Sequence, residues 1–252
     1  MRKGAPGAMR TLTIYHLGLI DYLTAWDVQR RMARARSAGQ VDDTLLLLEH
    51  PPTITLGRRA SAEHLLVPAE HLSAEGVTVV QSDRGGGATY HAPGQIVAYP
   101  IFKLSQHGRD IGRYLRGLEE SVIRVLRDDG LIGERVPGFT GVWVRNGAAK
   151  ICAIGIKVSA GGVTTHGLAL NVNIDVRGFD LIVPCGVQGR SVTSMAAELG
   201  EVVAMSSVAE RLIGHLCAVF DLEPAVVVTA GQWTAHLPAV ESDHLAQRQS
   251  RF

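Results

Sequence analysis

A glycine-rich stretch, residues 83–95, places a tight restriction on how this chain folds. At its centre, Gly85-Gly86-Gly87 loses much backbone entropy on folding, which is best explained where the main chain must approach another group closely. The Gly-Lys-Ser/Thr ending of a Walker loop is absent, and so is the G-x-G-x-x-G spacing that opens a Rossmann helix. Arg84 adds a fixed charge, and Tyr90 and His91 add polar groups. A flexible turn is the simple alternative, but this composition favours a loop that lines a substrate site.

Composition indicates one globular domain in a reducing compartment. Of 252 residues, 46% are hydrophobic and 19% charged, which is enough apolar material for one large core. The formal net charge of +1 gives no general argument for binding nucleic acid or a membrane. Three cysteines without paired spacing predict neither a disulfide framework nor a zinc site. With no apolar run of signal-peptide or membrane-spanning character, we expect a cytoplasmic protein without metal or cofactor.

Hydrophobic periodicity places helices and strands along the chain. Apolar residues recur at helical spacing in residues 21–38, 110–129 and 207–220. Residues 44–49 form a near-continuous apolar run, which predicts a strand buried on both faces. The hairpin signal Asn146-Gly147 predicts an antiparallel meander through the middle of the chain. Shorter patterns predict helices at 62–66, 68–75 and 192–199, strands at 11–17, 54–56, 77–80, 96–102 and 164–173, and a loop at 177–189.

Cys185 has the sequence surroundings of a reactive thiol. Pro184 and Gly186 flank it, so it lies where regular structure breaks and a side chain can face a cleft. Cys217 instead falls on the apolar face of the last predicted helix, and Cys152 shares the parity of apolar residues in a strand-like run. Both are expected in the core. A buried, inert Cys185 is the simple alternative, because free cysteines are usually packed inside.

Lys150 is the candidate partner of this thiol. The chain has four lysines against 21 arginines, and Lys150 opens an apolar strand, where Lys can lose its proton as Arg cannot. Near Cys185 its ammonium would favour the thiolate and lower a thiol pKa that starts at about 8.5. Two alternatives stay open: Lys150 as a hairpin-edge charge that keeps the strand soluble, and His166 as the partner in a Cys/His pair.

Four arginines crowd the end of the helix predicted at residues 21–38. They are Arg30, Arg31, Arg34 and Arg36, and their charge complements the carbonyl end of the helix dipole. They form either a solvated face or a docking patch for an acidic partner protein.

Four motifs, in this order along the chain, resemble one known family. They are Arg84-Gly85-Gly86-Gly87-Ala88-Thr89-Tyr90-His91 with Pro93-Gly94-Gln95, Lys150 with Ala153-Ile154-Gly155, His166-Gly167-Leu168-Ala169-Leu170-Asn171, and Pro184-Cys185-Gly186. The set resembles the lipoyl(octanoyl) transferase family, and the similarity covers about residues 10 to 225. We therefore divide the chain into a disordered head at 1–10, an acyltransferase catalytic domain at 11–225 and a peripheral tail at 226–252.

The resemblance implies a fold and a role for each motif. The fold is α+β, a single domain with a mixed/antiparallel sheet flanked by helices, similar to the catalytic domain of biotin and lipoate protein ligases. In the family the cysteine carries an acyl thioester and the strand lysine lowers its pKa, roles that carry over to Cys185 and Lys150. Ala92 departs from the family, in which we expect glycine between His and Pro. The implied substrate-lining residues are Arg84, Gly85, Gly86, Gly87, Ala88, Thr89, Tyr90, His91, Ala153, Ile154, Gly155, His166, Gly167 and Leu168.

The implied reaction is acyl transfer without ATP or cofactor. Cys185 accepts the octanoyl group of octanoyl-acyl carrier protein, and the ε-amine of a lysine on a lipoyl domain then takes it as an amide. The implied acceptors are the lipoyl domains of 2-oxoacid dehydrogenases and the glycine cleavage H protein. Exchange between two thioesters changes the free energy little, and conversion of a thioester to an amide lowers it. No other energy source is therefore needed. The alternatives are an ATP-dependent lipoate protein ligase and a non-catalytic acyl-binding module.

Overall fold

A mixed sheet of nine strands and a second sheet of three strands form the part of the chain that the structure describes. The structure is a computed structural model that describes residues 10–183, 190–229 and 233–238. The strands are β1 (Arg10–Leu19), β2 (Asp43–Glu49), β3 (Thr53–Leu56), β4 (Thr78–Gln81), β5 (Ala88–His91), β6 (Gln95–Ile101), β7 (Glu134–Val136), β8 (Phe139–Val144), β9 (Ala149–Val158), β10 (Thr164–Asn171), β11 (Ser191–Val192) and β12 (Leu222–Val228). The helices are α1 (Tyr22–Ser37), α2 (Ala69–Ala74), α3 (Ile111–Asp128), α4 (Met195–Leu199) and α5 (Met205–Phe220), with 3₁₀ turns at Ala62–His64, Leu104–Gln106, Val176–Leu181 and Trp233–His236.

The large sheet runs in the order β12-β1-β2-β6-β10-β9-β8-β7, with β11 beside β9. β1 is parallel to both of its neighbours, and every neighbouring pair from β2 to β7 is antiparallel. The antiparallel meander predicted for the middle of the chain and the α+β class are therefore confirmed. Within the described residues, none of the helices has the length and apolar character needed to cross a membrane.

The apolar run in β2 is buried on both faces, as its sequence predicts. Leu45 and Leu47 point into one core, which α3 and α5 cover, while Leu46 and Leu48 point into a second core under α1. All four side chains are at most 5% exposed. Alternate residues of a strand face opposite sides of a sheet, so helices must cover both faces of this one.

Polar caps fix where the two long helices α1 and α3 begin. The side chain of Asp21 accepts a hydrogen bond from the Thr24 N–H, and that of Asp110 accepts one from the Arg113 N–H. Each cap satisfies one of the amide groups that a helix start leaves unpaired. The two predicted helices are confirmed to within one residue at each end.

The small sheet, in the order β4-β3-β5, has its own apolar core. Tyr90 of β5 packs edge-on against Phe179, with ring centroids 5.6 Å apart. An isolated bridge joins Leu65 to Ile182. The small sheet and its flanking turns thus hold the chain segment that leads toward residues 184–189.

Two short strands occupy stretches for which the sequence predicted other structure. Residues 88–91 form β5 where a loop was expected, because their backbone pairs with β3. The helix predicted at 192–199 is wrong at its start, since β11 pairs with β9 there. The shorter α4 begins only after Ser194, whose side chain accepts a hydrogen bond from the Ala197 N–H.

The loop predicted at 177–189 begins with a 3₁₀ turn, Val176–Leu181, where irregular chain was expected. Asp175 starts this turn, because its side chain accepts a hydrogen bond from the Arg177 N–H. The later part of that loop, residues 184–189, lies outside the described residues.

The strand β12 lies in a stretch for which the sequence predicted no strand. It pairs in parallel with β1 at the edge of the large sheet and runs across the boundary between residues 225 and 226, where the predicted tail begins. Beyond it, Trp233 and Leu237 pack against the core under α1. The tail therefore contributes main-chain pairing and apolar contacts as far as the structure describes it.

The arginines at the end of α1 are largely engaged within the protein. Arg36 is 5% exposed, and its Nε donates to Asp43 at 2.7 Å. Arg31 donates to a backbone carbonyl oxygen at 3.0 Å, and the Arg30 guanidinium lies 5.3 Å from the centroid of the Trp26 ring. The predicted basic surface is therefore wrong for Arg36, whose charge compensates a buried carboxylate.

Candidate active site

A cavity of about 550 Å³ opens among the small sheet, β9 and β10, and three of the four sequence motifs meet on its wall. Tyr90 is the exception among the predicted lining residues of these motifs: its ring packs against Phe179 in the core of the small sheet. The predicted residues on the wall are Arg84, Gly85, Gly86, Gly87, Ala88, Thr89, His91, Lys150, Ala153, Ile154, Gly155, His166, Gly167 and Leu168.

Glycines are needed at this wall because backbone segments meet there. The Gly85 N–H donates to the Ile156 carbonyl of β9 at 2.8 Å. A Cβ on Gly155 would lie 2.7 Å from the Gly85 oxygen, and one on Gly57 would lie 2.5 Å from the Gly86 oxygen. The sequence predicted a close backbone approach, and the structure places it between the triplet, β9 and the turn after β3.

Arg84 holds the glycine-rich loop in place through hydrogen bonds to its backbone and to β3. Its side chain is buried, and its Nη2 donates to the Thr55 carbonyl at 2.6 Å and the Gly87 carbonyl at 2.7 Å. Its Nε also donates to the Thr55 hydroxyl oxygen at 3.1 Å. A planar guanidinium can serve several acceptors at fixed angles, so Arg84 organises the cavity wall chiefly through contacts with the protein.

Lys150 lies on the wall at the start of β9, opposite Trp143 of β8. Its Nζ is 4.7 Å from the centroid of the Trp143 ring. The stem of Lys150 passes over Gly141, where a Cβ would lie 3.4 Å from Lys150 Cε. On its other side the Thr193 N–H donates to the Lys150 carbonyl at 2.9 Å, so the backbone of Lys150 is fixed between β8 and the segment that contains β11.

Cys185 lies in residues 184–189, outside the described part of the chain. The chain approaches that segment and leaves it along the cavity, because Phe179 before it and Val192 after it both lie on the wall. Val192 is also paired in register with Lys150.

The two cysteines within the described residues are core residues, as predicted. Cys152 is 0% exposed and Cys217 is 7% exposed. Burial raises the pKa of both thiols, because a thiolate loses its hydration in an apolar interior. Neither thiol is suited to act as a nucleophile.

His166 sits in a strained and fully partnered position. Its φ of +58° is rare for a residue with a Cβ, and its N–H donates to Gln29 Oε1 at 2.7 Å. Burial raises the pKa of Asp83, but hydrogen bonds from His166 Nε2 at 2.7 Å and Lys157 at 2.6 Å outweigh burial and lower that pKa to about 2. The other ring nitrogen, Nδ1, lies 3.4 Å from the Tyr22 hydroxyl. With Nε2 donating to Asp83, Nδ1 is the ring nitrogen that can accept a proton.

His91 belongs to a chain of buried polar groups. Its Nδ1 lies 2.7 Å from Gln95 Oε1, and the Gln95 amide donates to Asn171 at 2.9 Å. Because the Gln95 amide nitrogen is the donor to Asn171, its oxygen accepts and His91 Nδ1 carries the proton. Burial, with His50 nearby, lowers the pKa of His91 well below its ordinary value, so the ring is neutral. Asn171 in turn donates to the Thr193 carbonyl at 2.9 Å, which ties β5 to the strand beside Lys150.

Sequence reasoning missed several residues of the wall. Tyr22 and Tyr99 are nearly buried, so their apolar neighbours in the sequence indicated only core positions. Phe139 directly follows the Pro137-Gly138 turn signal, which was the available hint that it stands at an edge. Among the described residues, no group of three or more His, Cys, Asp or Glu side chains is placed to hold a metal ion. The missed wall residues include Tyr22, Arg59, Tyr99, Leu115, Phe139, Phe179 and Val192.

Curated relatives share most of the chain. The octanoyltransferase of Roseiflexus sp. (strain RS-1) is 95% identical over 240 residues, which are 95% of this chain and 100% of that protein. The octanoyltransferase of Chloroflexus aggregans (strain MD-66 / DSM 9485) is 70% identical over 216 residues, which are 86% of this chain and 98% of that protein.

Solved structures with the same fold include one from an archaeal lipoylation system of Thermoplasma acidophilum, described as a bi-partite lipoate protein ligase and its E2 lipoyl domain. It aligns with a TM-score of 0.71 over 91% of each chain at 20% sequence identity, a likeness that concerns the fold alone. The family model described as the lipoyl protein ligase A/B catalytic domain matches residues 21–217. With this match, and with relatives that share its sequence almost throughout, the chain belongs to the lipoyl protein ligase A/B catalytic domain family.

Proposed function

We propose that this chain, an acyltransferase of the octanoyltransferase type, carries its octanoyl group on Cys185 as a thioester. In this proposal Lys150 accepts a proton from each attacking group and returns it to each leaving group. Octanoyl transfer is the activity for which its curated relatives are named. The observation that carries the proposal is the position of Lys150 on the cavity wall, paired in register with Val192 of the strand that follows the Cys185 segment.

Elimination supports Cys185 as the nucleophile. The chain has three cysteines, and Cys152 and Cys217 are buried with raised thiol pKa values. The chain reaches and leaves the Cys185 segment at the cavity, through Phe179 and Val192.

In the first step, Cys185 takes the acyl group from a thioester donor, which we propose is octanoyl-acyl carrier protein. The Lys150 amine accepts the thiol proton, and the resulting thiolate attacks the thioester carbonyl carbon. The carbon–sulfur bond to the carrier breaks, and the carrier's sulfur leaves with the proton that Lys150 returns. The ammonium lowers the free energy of both thiolates while each is formed.

In the second step, the ε-amine of a lysine on a lipoyl domain attacks the acyl-enzyme. A carbon–nitrogen bond forms, the bond to the Cys185 sulfur breaks, and Lys150 accepts the proton that the attacking nitrogen loses. Lys150 then returns that proton to the Cys185 thiolate, which restores the starting state. Neither step requires ATP hydrolysis.

The apolar part of the wall suits a fatty acyl chain. Ile154 and Leu168 lie on neighbouring strands and face each other in register, with Leu115 and Phe139 also on the wall. Each buried methylene contributes about 0.8 kcal/mol, so an octanoyl chain gains several kcal/mol on entering. This gain binds the acyl group and favours it over shorter chains.

The ATP-dependent ligase alternative finds less support. The curated relatives at 95% and 70% identity are octanoyltransferases, whereas the ligase likeness at 20% identity concerns the fold. ATP carries negative charge, and Arg84 is the charged residue beside the glycine triplet. Its guanidinium donates to the Thr55 and Gly87 carbonyls, so it already has partners within the protein.

The test is intact-protein mass spectrometry after incubation with octanoyl-acyl carrier protein and no ATP. We expect one octanoyl adduct, lost in Cys185→Ala, and transfer to an added lipoyl domain that falls at least a hundredfold in Lys150→Ala. Cys217→Ala is the matched control and should form the adduct as the parent does. An adduct that persists in Cys185→Ala, or full transfer by Lys150→Ala, contradicts the assignment; a requirement for ATP with free octanoate favours the ligase.

The proposed acceptors are the lipoyl domains of 2-oxoacid dehydrogenases and the glycine cleavage H protein, and the proposed compartment is the cytoplasm. A lipoyl domain whose target lysine is replaced by arginine should leave the acyl-enzyme intact. Acylation of that variant at another site would contradict lysine-directed transfer.

A further inference from the structure

A stack of rings and cations adjoins the cavity wall at Lys150. Trp143 is 0% exposed and lies opposite Lys150 in the β8–β9 pair, with Lys150 Nζ 4.7 Å from its ring centroid. The Arg190 guanidinium lies 5.0 Å from the Trp143 centroid and 4.7 Å from that of Phe139. Phe139 meets Trp143 edge-on at 6.1 Å and is itself on the cavity wall.

The backbone is shaped to aim Trp143 at Lys150. The β8–β9 register shifts between Val142 and Trp143, so a bulge at this point redirects the side chain. Gly141 just before it has φ +125°, and a Cβ there would lie 2.5 Å from the Cys152 carbonyl oxygen. The glycine and the bulge together bring the ring under the Lys150 ammonium.

A space-filling role does not account for tryptophan at this position. Its indole Nε1 is buried and has no hydrogen-bond partner in the described part of the chain. An unpaired buried donor costs free energy that an aliphatic side chain of similar size would not. The ring face must therefore do something that an aliphatic group cannot, and its visible contact is with two cations.

We propose that Trp143 is a positioning residue for Lys150, which it holds at the cavity wall and stabilises in the ammonium form by a cation–π contact. The inference rests on the proposed role of Lys150. Among the described residues, Arg190 shares the ring and opposes a second positive charge. Glu119 of α3 lies on the far side of Gly141. Glu119 accepts a hydrogen bond from the Gly141 N–H at 3.2 Å and is paired with Arg116 at 2.7 Å and Arg135 at 3.2 Å.

The decisive variants are Trp143→Leu and Trp143→Phe, with Trp233→Leu as the control for loss of a packed tryptophan elsewhere. Two quantities are followed against pH: the rate of Cys185 alkylation by iodoacetamide and the single-turnover rate of acyl-enzyme formation. In Trp143→Leu we expect the alkylation profile to move to higher pH and the acylation rate to fall roughly 2- to 30-fold, the change that corresponds to a cation–π contact of about 0.5–2 kcal/mol. KM for the acyl donor should not change, Trp143→Phe should recover most of the loss, and Trp233→Leu should keep the parent profile.

A double-mutant cycle with Lys150→Met separates positioning from packing. If Trp143 acts through Lys150, adding Trp143→Leu to Lys150→Met leaves the alkylation profile where Lys150→Met alone puts it. A further shift in the double variant, or a Trp143→Leu enzyme that melts earlier but keeps the parent pH profile, overturns the inference. If Trp143→Leu does not fold, Trp143→Met supplies the same comparison, because its flexible apolar side chain fills the space without an aromatic ring. Full activity of Lys150→Met would instead remove the proposed function on which the inference stands.

Discussion

Some side chains at this site support the backbone of the cavity wall, in addition to any contact that they make with a substrate. Arg84 is the clearest case. A charged side chain beside a glycine triplet suggests an anion site, yet its guanidinium donates to the Thr55 and Gly87 carbonyls and is 8% exposed. Its planar fork matches acceptors from two segments at once, and an ammonium cannot reproduce that geometry.

We therefore expect Arg84→Lys to lower the free energy of unfolding by roughly 1–3 kcal/mol, because at least one buried carbonyl loses its partner. Acyl transfer should fall as well, since the loop that Arg84 fastens forms the cavity wall. Urea denaturation and a transfer assay measure the two effects. Arg59→Lys, at an exposed arginine on the same wall, is the matched control and should leave the stability unchanged. Equal stability of both variants would contradict the structural role of Arg84.

At the scale of elements, the cavity wall depends on two backbones that meet without side chains between them. The glycine triplet and β9 are joined by the Gly85 N–H to Ile156 carbonyl bond at 2.8 Å. The Gly85 oxygen leaves no room for a Cβ on Gly155, which would lie 2.7 Å away. Because the obstructing atom is backbone, the loop itself must move if a methyl group is added.

Gly155→Ala should accordingly displace the loop and lower the stability by about 1–3 kcal/mol, the usual cost of overpacking. We expect acyl-enzyme formation to fall more than tenfold, because loop and amine share one wall. Gly214→Ala is the control: this glycine lies inside α5, and a Cβ there would meet nothing within 4 Å, so alanine should stabilise the helix by up to about 1 kcal/mol. A Gly155→Ala enzyme as active and stable as the parent would show that the loop yields freely.

Elements with strong local patterns could be predicted from the sequence, and those defined by pairing partners could not. The buried run of β2 and the capped helices α1 and α3 carry their own signals. In contrast, β11 has two residues and exists because Val192 pairs with Lys150, while β12 exists because β1 offers a free edge. The same distinction holds for the site. Sequence motifs identified most of its wall, but the hydrogen bond between Asp83 and His166 joins residues 83 positions apart and has no local sequence signal.

Across the whole molecule, several neutral imidazoles are buried between the two sheets and the helix α1. Burial is the main cause that lowers the pKa values of His50, His91 and His166, and that of His50 falls to about 4. His50 donates from Nδ1 to the Ile20 carbonyl at 2.7 Å, so its Nε2 accepts from the Tyr99 hydroxyl at 2.8 Å. A proton on Nε2 would require the Tyr99 hydroxyl oxygen to accept instead of donate, and it would place a charge in the interior.

The stability of the protein should therefore fall on acidification, before its carboxylates titrate. A histidine whose pKa is depressed by folding contributes stability at pH values above its unfolded pKa of about 6.5, and this contribution is lost as the pH falls toward the folded value. For His50 the folded value is about 4, so its share of the loss is about 3 kcal/mol between these limits. Asp83, with a pKa lowered to about 2, adds a separate loss only below about pH 4.

The pH dependence can be assigned to His50 with a side chain that keeps both hydrogen bonds but does not titrate. In His50→Gln the amide group can donate to Ile20 and accept from Tyr99 at every pH. We expect urea denaturation at pH 7.5, 5.5 and 4.5 to give a flatter dependence for this variant than for the parent, by up to about 3 kcal/mol. His71→Gln, at an exposed histidine of α2, is the matched control and should keep the parent's slope. If the parent and His50→Gln lose stability in parallel, the acid sensitivity arises elsewhere, and His91 with His166 become the next groups to replace.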